Sequence, residues 1–225
     1  MPLPYTDDEK TRLMHQVFSL FTRYGFDGIS MDEVVARIKI SKATLYKFFK
    51  SKEDIVRDMV KEAATHLNAV QFSADKGIDS VLETMSALYF KAILVAAYSS
   101  SKFIEDLESK YPDIYNEYIS TMDSVQSRFT DFYESAVREG YFKKVSIGLI
   151  STQCKMMMPT MIKSDHLISQ NTTLPDVIVE YYKLLLYQIL SEEYMAVTAQ
   201  ESIYSFVDEL VEVLKSNFMV DEKLT

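Results

Sequence analysis

Only one cysteine, Cys154, occurs in the 225-residue chain, so no disulfide can close within it, and a reducing, intracellular setting is expected. The three histidines, His15, His66 and His166, offer no cysteine–histidine spacing that could hold zinc; they read as surface or ordinary structural residues, and neither metal nor cofactor is expected. No nucleophile–base pair and no phosphate loop can be picked out, which argues against an enzyme. The N-terminus, MPLPYTDDEKTR, has acidic residues where a signal peptide needs a basic start and an apolar run. No later stretch approaches the ~18 uncharged apolar residues of a membrane span. The expectation is a soluble, cytoplasmic protein with no membrane partner. Five glycines and five prolines supply little for the turns of a β protein and favour long helices with short connections.

Charge is distributed unevenly. In residues 37–52, RIKISKATLYKFFKSK, six of sixteen side chains are Lys or Arg and none is acidic, whereas the remaining 209 residues carry 18 basic and 33 acidic groups. Attraction to phosphate decays within about 10 Å at ordinary salt, so a basic segment in an acidic chain points to a local polyanion site. Ser41 is a good N-cap for a short helix there, with Ala43, Leu45, Phe48 and Phe49 packing inward and Lys42, Thr44, Tyr46 and Lys47 pointing out.

Helical spacing continues on both sides of this segment. A first helix is predicted from the TDDE capping box at Thr6, with Leu13, Val17, Leu20 and Phe21 on one stripe and Gly25 at its end. Ser30 with Glu33 opens a second helix, and Ser51 with Asp54 opens a fourth, which runs toward Val70. Three short helices and a longer exit helix are the order of a helix-turn-helix module. Further helices are expected from Ile78 to Ala96, around 102–110, from Pro112 to Gly140, at 144–164, at 174–191 with Pro175 near its start, and at 199–218; residues 219–225 should fray. Pro159 should kink or interrupt the helix that holds it. The segment VIVEYYKLLLYQIL is apolar nearly all round, which calls for cover by its own core on one side and another protomer on the other.

The run from Leu13 to Ile55 resembles the N-terminal domain of the TetR/AcrR family of bacterial transcriptional regulators. Leu20 and Phe21 with Gly25 beyond, the SMDEVVARI second helix and SKATLYKFFKSKEDI from Ser41 to Ile55 carry the resemblance, over about a fifth of the chain. The chain departs from the pattern at Ile38 and Lys39, where a small residue and glycine are usual, at Ala43, where glycine is common, and at Lys50, where proline is frequent. Lys39 is therefore expected in a left-handed or bridging conformation that glycine accepts more easily, at about 1 kcal/mol. The resemblance implies an all-α protein with a three-helix helix-turn-helix DNA-binding domain at residues 1–52 and an antiparallel helical ligand-binding and dimerisation domain at 53–225. It implies that Ser41, Lys42 and Ala43 meet base edges or nearby backbone of an operator in double-stranded DNA, that Thr44, Tyr46 and Lys47 bond phosphates, and that Lys52 clamps another.

The function implied is a regulator, a repressor in the first reading, that binds a palindromic operator as a homodimer and is released by a small, largely apolar effector. The helices at 144–164 and 174–191 would form the dimer. Ten Phe or Tyr lie between Tyr89 and Tyr133, and Met156, Met157, Met158 and Met161 surround Pro159. From these, Tyr89, Phe103, Tyr115, Tyr118, Met122, Phe129, Met157 and Met161 are the candidate cavity residues; plain core packing is the competing reading. Cys154 reads as a small buried hydrophobe. Two alternatives stand beside the main one: a DNA-binding dimer with no ligand switch, and a hydrophobic-ligand or acyl-binding helical protein with no DNA role.

Overall fold

The computed structural model describes residues 9–74 and 76–195, together with Val207, Leu210, Val211 and Leu214. Among these residues the chain is helical without strands. Its helices are α1 (Glu9–Tyr24), α2 (Met31–Ile38), α3 (Lys42–Phe48), α4 (Lys52–Asn68), α5 (Ile78–Tyr98), α6 (Ser101–Lys110), α7 (Pro112–Arg138), α8 (Ile147–Met161), α9 (Ser164–Gln170), α10 (Leu174–Ile189) and α11 (Glu192–Met195). Local chemistry sets the breaks. Ser30 and Ser51 form reciprocal capping boxes with Glu33 and Asp54, and Thr173 accepts from the Asp176 N–H at the head of α10. Gly25 after α1 and Gly140 after α7 take φ of 72° and 83°, a region open to glycine without a Cβ penalty. Lys39 is left-handed, φ 57° and ψ 45°, as its place before α3 required. The TDDE start at Thr6, most of the helix predicted over 199–218 and the tail at 219–225 lie outside the described residues. Four positions of that helix, Val207, Leu210, Val211 and Leu214, are buried.

Two local expectations are corrected. The helix expected at 144–164 is α8, which runs through Pro159 to Met161, but it is followed by a separate short helix, α9, that was not expected and starts at Ser164. Proline's missing N–H removes one bond in the last turn of α8, and the helix ends two residues later. Ala43 is exposed rather than inward. It lies two positions, about 200° of helical rotation, from the fully buried Leu45, whereas Phe49 four positions on shares the Leu45 face.

Three hydrophobic clusters organise the packing. The first joins α1–α3 (Val17, Phe21, Val34, Leu45) to Ile55, Val56, Met59 and Val60 of α4 and to Phe103, Leu107 and Ile114 of α6 and α7. A larger one is built from α5, α7, α8 and α10. Between them, Ala63 and Leu67 of α4 pack with Val95 and Val125. The division expected at residue 52/53 thus falls at the head of α4, a helix whose two halves sit in different clusters. Residues 78–97 of α5 are long and apolar enough to cross a membrane by length and composition, with 56% of that window buried inside this fold.

Polar seams hold α4 on both flanks. Toward α1, Lys10 pairs with Asp58 at 2.9 Å and His15 Nε2 lies 3.1 Å from Glu62 Oε1, with His66 Nε2 3.6 Å from the same oxygen. Toward α7, Arg57 reaches Asp113 at 2.7 Å and Glu117 at 3.1 Å. Burial opposes the charge on Glu62, yet hydrogen bonds and attraction from His15 and His66 outweigh it and bring its pKa down to about 2. A carboxylate lowered on folding contributes stability that is fully present above its ordinary pKa of 4.5 and is lost as pH falls toward about 2. Glu62→Gln is therefore expected to lower stability at neutral pH by about 1–3 kcal/mol. In thermal melts across pH, the gap between variant and wild type should shrink below pH 4.5; a constant gap down to pH 2 would contradict the assignment.

Candidate nucleic-acid interface and interior cavity

Helix α3 is short because Ser41 caps its start, accepting from the Thr44 N–H, and Phe49 turns to extended backbone, φ −131° and ψ 119°. Phe49 is thereby fully buried. Ser41, Lys42, Ala43, Tyr46 and Lys47 are exposed and Thr44 half-buried, so these six expected contact residues are carried by one short capped segment. The Ser41 and Thr44 hydroxyls bond each other at 2.8 Å. The Lys47 ammonium stands 4.6 Å from the Phe48 ring centroid, and Lys42 pairs with Asp32 of α2 at 2.8 Å. The hydrogen bond to Asp32 raises the Lys42 pKa, so the lysine stays charged. Both partners are 63% exposed, and a pair so solvated is readily exchanged for another anion.

Lys52 is engaged elsewhere. Its ammonium donates to the carbonyls of Phe26, Asp27 and Ile29 at 2.7, 3.2 and 3.0 Å, which closes the turn between α1 and α2 from one side. Asp106 of α6 closes the other side. Its Oδ2 accepts from the N–H groups of Phe26 at 2.8 Å and Asp27 at 3.0 Å, while Lys102 donates to Oδ1. Asp106 is only 2% exposed. Burial disfavours its charge, but Lys102 and the two backbone donors prevail and hold its pKa below the usual range. Gly25 is needed beside it on two grounds: φ is positive, and a Cβ there would overlap Asp106 and Lys102. Phe26 is fully buried, with ring centroids 5.5 Å from Phe103 and 5.6 Å from Tyr111.

Above the middle cluster lies a cavity of about 510 Å³. Leu67 of α4 and Ile104 of α6 contribute to its wall, α5 supplies Met85, Leu88, Tyr89 and Ala92, and α7 supplies Tyr118, Met122 and Phe129. Ile150, Cys154 and Met158 of α8, with Leu185 and Ile189 of α10, complete the apolar lining. Of the expected residues, Tyr89, Tyr118, Met122 and Phe129 are there and four are not. Phe103 and Tyr115 belong to the first cluster, packed around Phe26 and its neighbours. Met157 is 40% exposed on the outside of α8, and Met161 is buried in the large core beyond the cavity. Adjacent methionines point about 100° apart, so of 156–158 only Met158 turns inward. The i, i+4 stripe of Ile150, Cys154 and Met158 was the sequence signal that could have found this wall.

The cavity's buried polar groups are neutral. Tyr89 donates to the Ile178 carbonyl at 2.8 Å, and burial pushes its hydroxyl pKa up, as it does for Tyr118. Burial also pushes the Cys154 thiol up, which leaves it a protonated, apolar-like side chain rather than a nucleophile. The formal charges in the lining, Asp123 and Lys155, are exposed. Among the described residues no group of three or more His, Cys, Asp and Glu is arranged to hold a metal. The arrangement suits enclosure of an apolar molecule.

Residues 14–59 match the family model for bacterial regulatory proteins of the tetR family. The biofilm operon icaADBC HTH-type negative transcriptional regulator IcaR of Staphylococcus aureus is 23% identical over 134 residues, which is 58% of this chain and 66% of the relative, just under two thirds of its length. Among solved structures, the TetR-family regulator PfmR from Thermus thermophilus superposes with a TM-score of 0.58 at 20% identity, covering 80% of this chain and 97% of that one. CprB from Streptomyces coelicolor, in complex with its biological operator sequence, superposes with a TM-score of 0.55 at 15% identity, covering 91% and 96%. The capped helices of residues 14–59 thus coincide with the segment that matches the tetR-family model, and the helical body shares the fold of these solved structures.

Proposed function

We propose that the protein is a cytoplasmic transcriptional repressor that binds a palindromic operator as a homodimer and leaves it when a small, largely apolar effector enters the cavity. The observation that carries this reading is the exposed, acid-free face of α3, from Ser41 to Lys47, held by its caps within the segment that matches the family. Ser41, Lys42 and Ala43 address base edges in the major groove, and Thr44, Tyr46 and Lys47 bond phosphates that fix register. Repression follows the description of IcaR as a negative regulator. Lys52 acts first on the α1–α2 turn, and its contact to DNA is secondary.

A dimer supplies two such helices about 34 Å apart, the spacing of successive major grooves. Six of the eight large hydrophobic side chains found exposed, Leu149, Met156, Met157, Ile168, Leu184 and Tyr187, lie on α8–α10, which supports that face as the interface. Gln153 and Gln188 exchange amide hydrogen bonds at 3.3 and 3.1 Å and hold α8 beside α10. The effector acts by population shift, binding better to a dimer whose α4 has moved and whose α3 helices no longer match the grooves. Leu67 brings α4 into the cavity wall. A coupling of about 1–3 kcal/mol corresponds to a 5- to 150-fold loss of DNA affinity.

Duplex titrations at several salt concentrations test the DNA assignment. Lys47→Ala should weaken all duplexes and flatten the salt slope by about one unit without changing stability, whereas Lys42→Ala should relax base preference. Lys52→Ala should differ by also lowering the unfolding free energy measured in urea, by about 1–2 kcal/mol for the lost carbonyl bonds. Unchanged duplex affinity in both Lys42→Ala and Lys47→Ala would remove α3 from the interface. For the dimer, Leu184→Glu combined with Tyr187→Glu should sediment as a folded monomer with much weaker duplex binding. A variant that remains dimeric would place the interface elsewhere.

A further inference from the structure

We infer that Asp106 is a positioning residue that passes cavity occupancy to the DNA-binding helices through the α1–α2 turn, by a route separate from the tilt of α4. The inference rests on the cavity being the effector site. The turn is gripped from opposite sides by two helices that both wall the cavity. From α4, Lys52 holds its carbonyls; from α6, Asp106 holds its N–H groups. Leu67 of α4 and Ile104 of α6 are both cavity-lining. A molecule wedged between them separates the two helices that the turn ties together.

The geometry makes the link stiff on the side of α6. Ile104 at the wall, Phe103 against Phe26 and Asp106 at the turn fall within one helical turn, so Ile104 cannot be displaced without carrying the other two. Asp106 bonds at 2.8 and 3.0 Å, and a hydrogen bond is lost by about 3.6 Å, so a displacement of under about 1 Å opens the latch. Lys102 remains with Asp106 on α6, leaving the two N–H groups of the turn without their acceptor. Phe26 is two residues beyond the end of α1 and four before the N-cap of α2, so release of the turn frees α2, and α3 behind it, to reorient against α1. The ion pair between Lys110 and Asp27, at 3.1 Å and about half exposed on both sides, is too solvated to hold the turn alone.

The probe for the cavity is N-phenyl-1-naphthylamine, a neutral lipophile whose fluorescence rises on burial. Its binding is titrated directly on the full-length dimer, and amide hydrogen exchange at Phe26 and Asp27 is followed with and without it. Duplex affinity is measured in parallel on a fragment selected by the wild-type protein. In wild type, saturation with the probe should speed exchange at both amides and weaken duplex binding 5- to 150-fold. Asp106→Ala, which removes the acceptor, should bind the probe within about twofold of wild type, exchange fast at both amides before the probe is added, and lose most of the probe's effect on duplex affinity. Probe binding that leaves both amides protected in wild type overturns the latch while leaving the cavity reading intact, as does an undiminished probe effect in a cooperatively folding Asp106→Ala. Absence of probe fluorescence enhancement overturns the cavity reading, and the latch with it.

Discussion

Helix α4 must satisfy both halves of the molecule at once, and the rest of the structure depends on how it is held. Its 17 residues span about 25 Å, from Lys52 at the α1–α2 turn to Leu67 at the cavity wall. Asp58 and Glu62 face α1 while Arg57 faces α7, so rotation of α4 about its own axis breaks one seam or the other. Tilt and translation are the movements left to it. A helix confined in this way converts displacement at one end into displacement at the other, because a packed core shifts between arrangements rather than deforming smoothly.

The cavity and the basic segment are complementary in their chemistry. Neutral hydroxyls are turned inward around α10: Tyr182 bonds Ser86 at 2.8 Å and burial pushes its pKa up to about 12, while Tyr89 is committed to the Ile178 carbonyl. A lining of this kind offers shape and apolar area more than charge. Outside, the net balance of −9 is the sum of a basic stretch at 37–52 and an acidic remainder. Net negative charge on the body disfavours approach of DNA there, so the proposed contact falls on the chain's basic segment.

Much of this was legible in the residues because it is encoded locally. Capping boxes at Ser30 and Ser51, the cap at Ser41, Pro112 in the first turn of α7 and the left-handed Lys39 each depend on neighbours within a few positions. Long-range contacts were not legible. The Asp106 latch joins residues 80 apart in the chain, and Gly25 announced only that the turn needed room. The motif gave Lys52 a phosphate role, while its three carbonyl partners, 23 to 26 residues away in the chain, were not visible. For the cavity, aromatic density identified α5 and α7, yet it could not separate Tyr118, which lines the space, from Tyr115 three residues away, which packs in the neighbouring cluster. The separate helix α9 was missed because its seven residues carry too short a periodic pattern to stand apart from the end of α8.

The central claim is that a symmetric pair of α3 helices reads duplex DNA. Selection of duplexes from a random library by the intact chain, followed by sequencing, tests it most directly. The account predicts enrichment of an inverted repeat whose half-site centres lie about 10–10.5 base pairs, or a multiple of that, apart. Recovery of sequences no different from the starting library, or of a single half-site without its inverted partner, would contradict it.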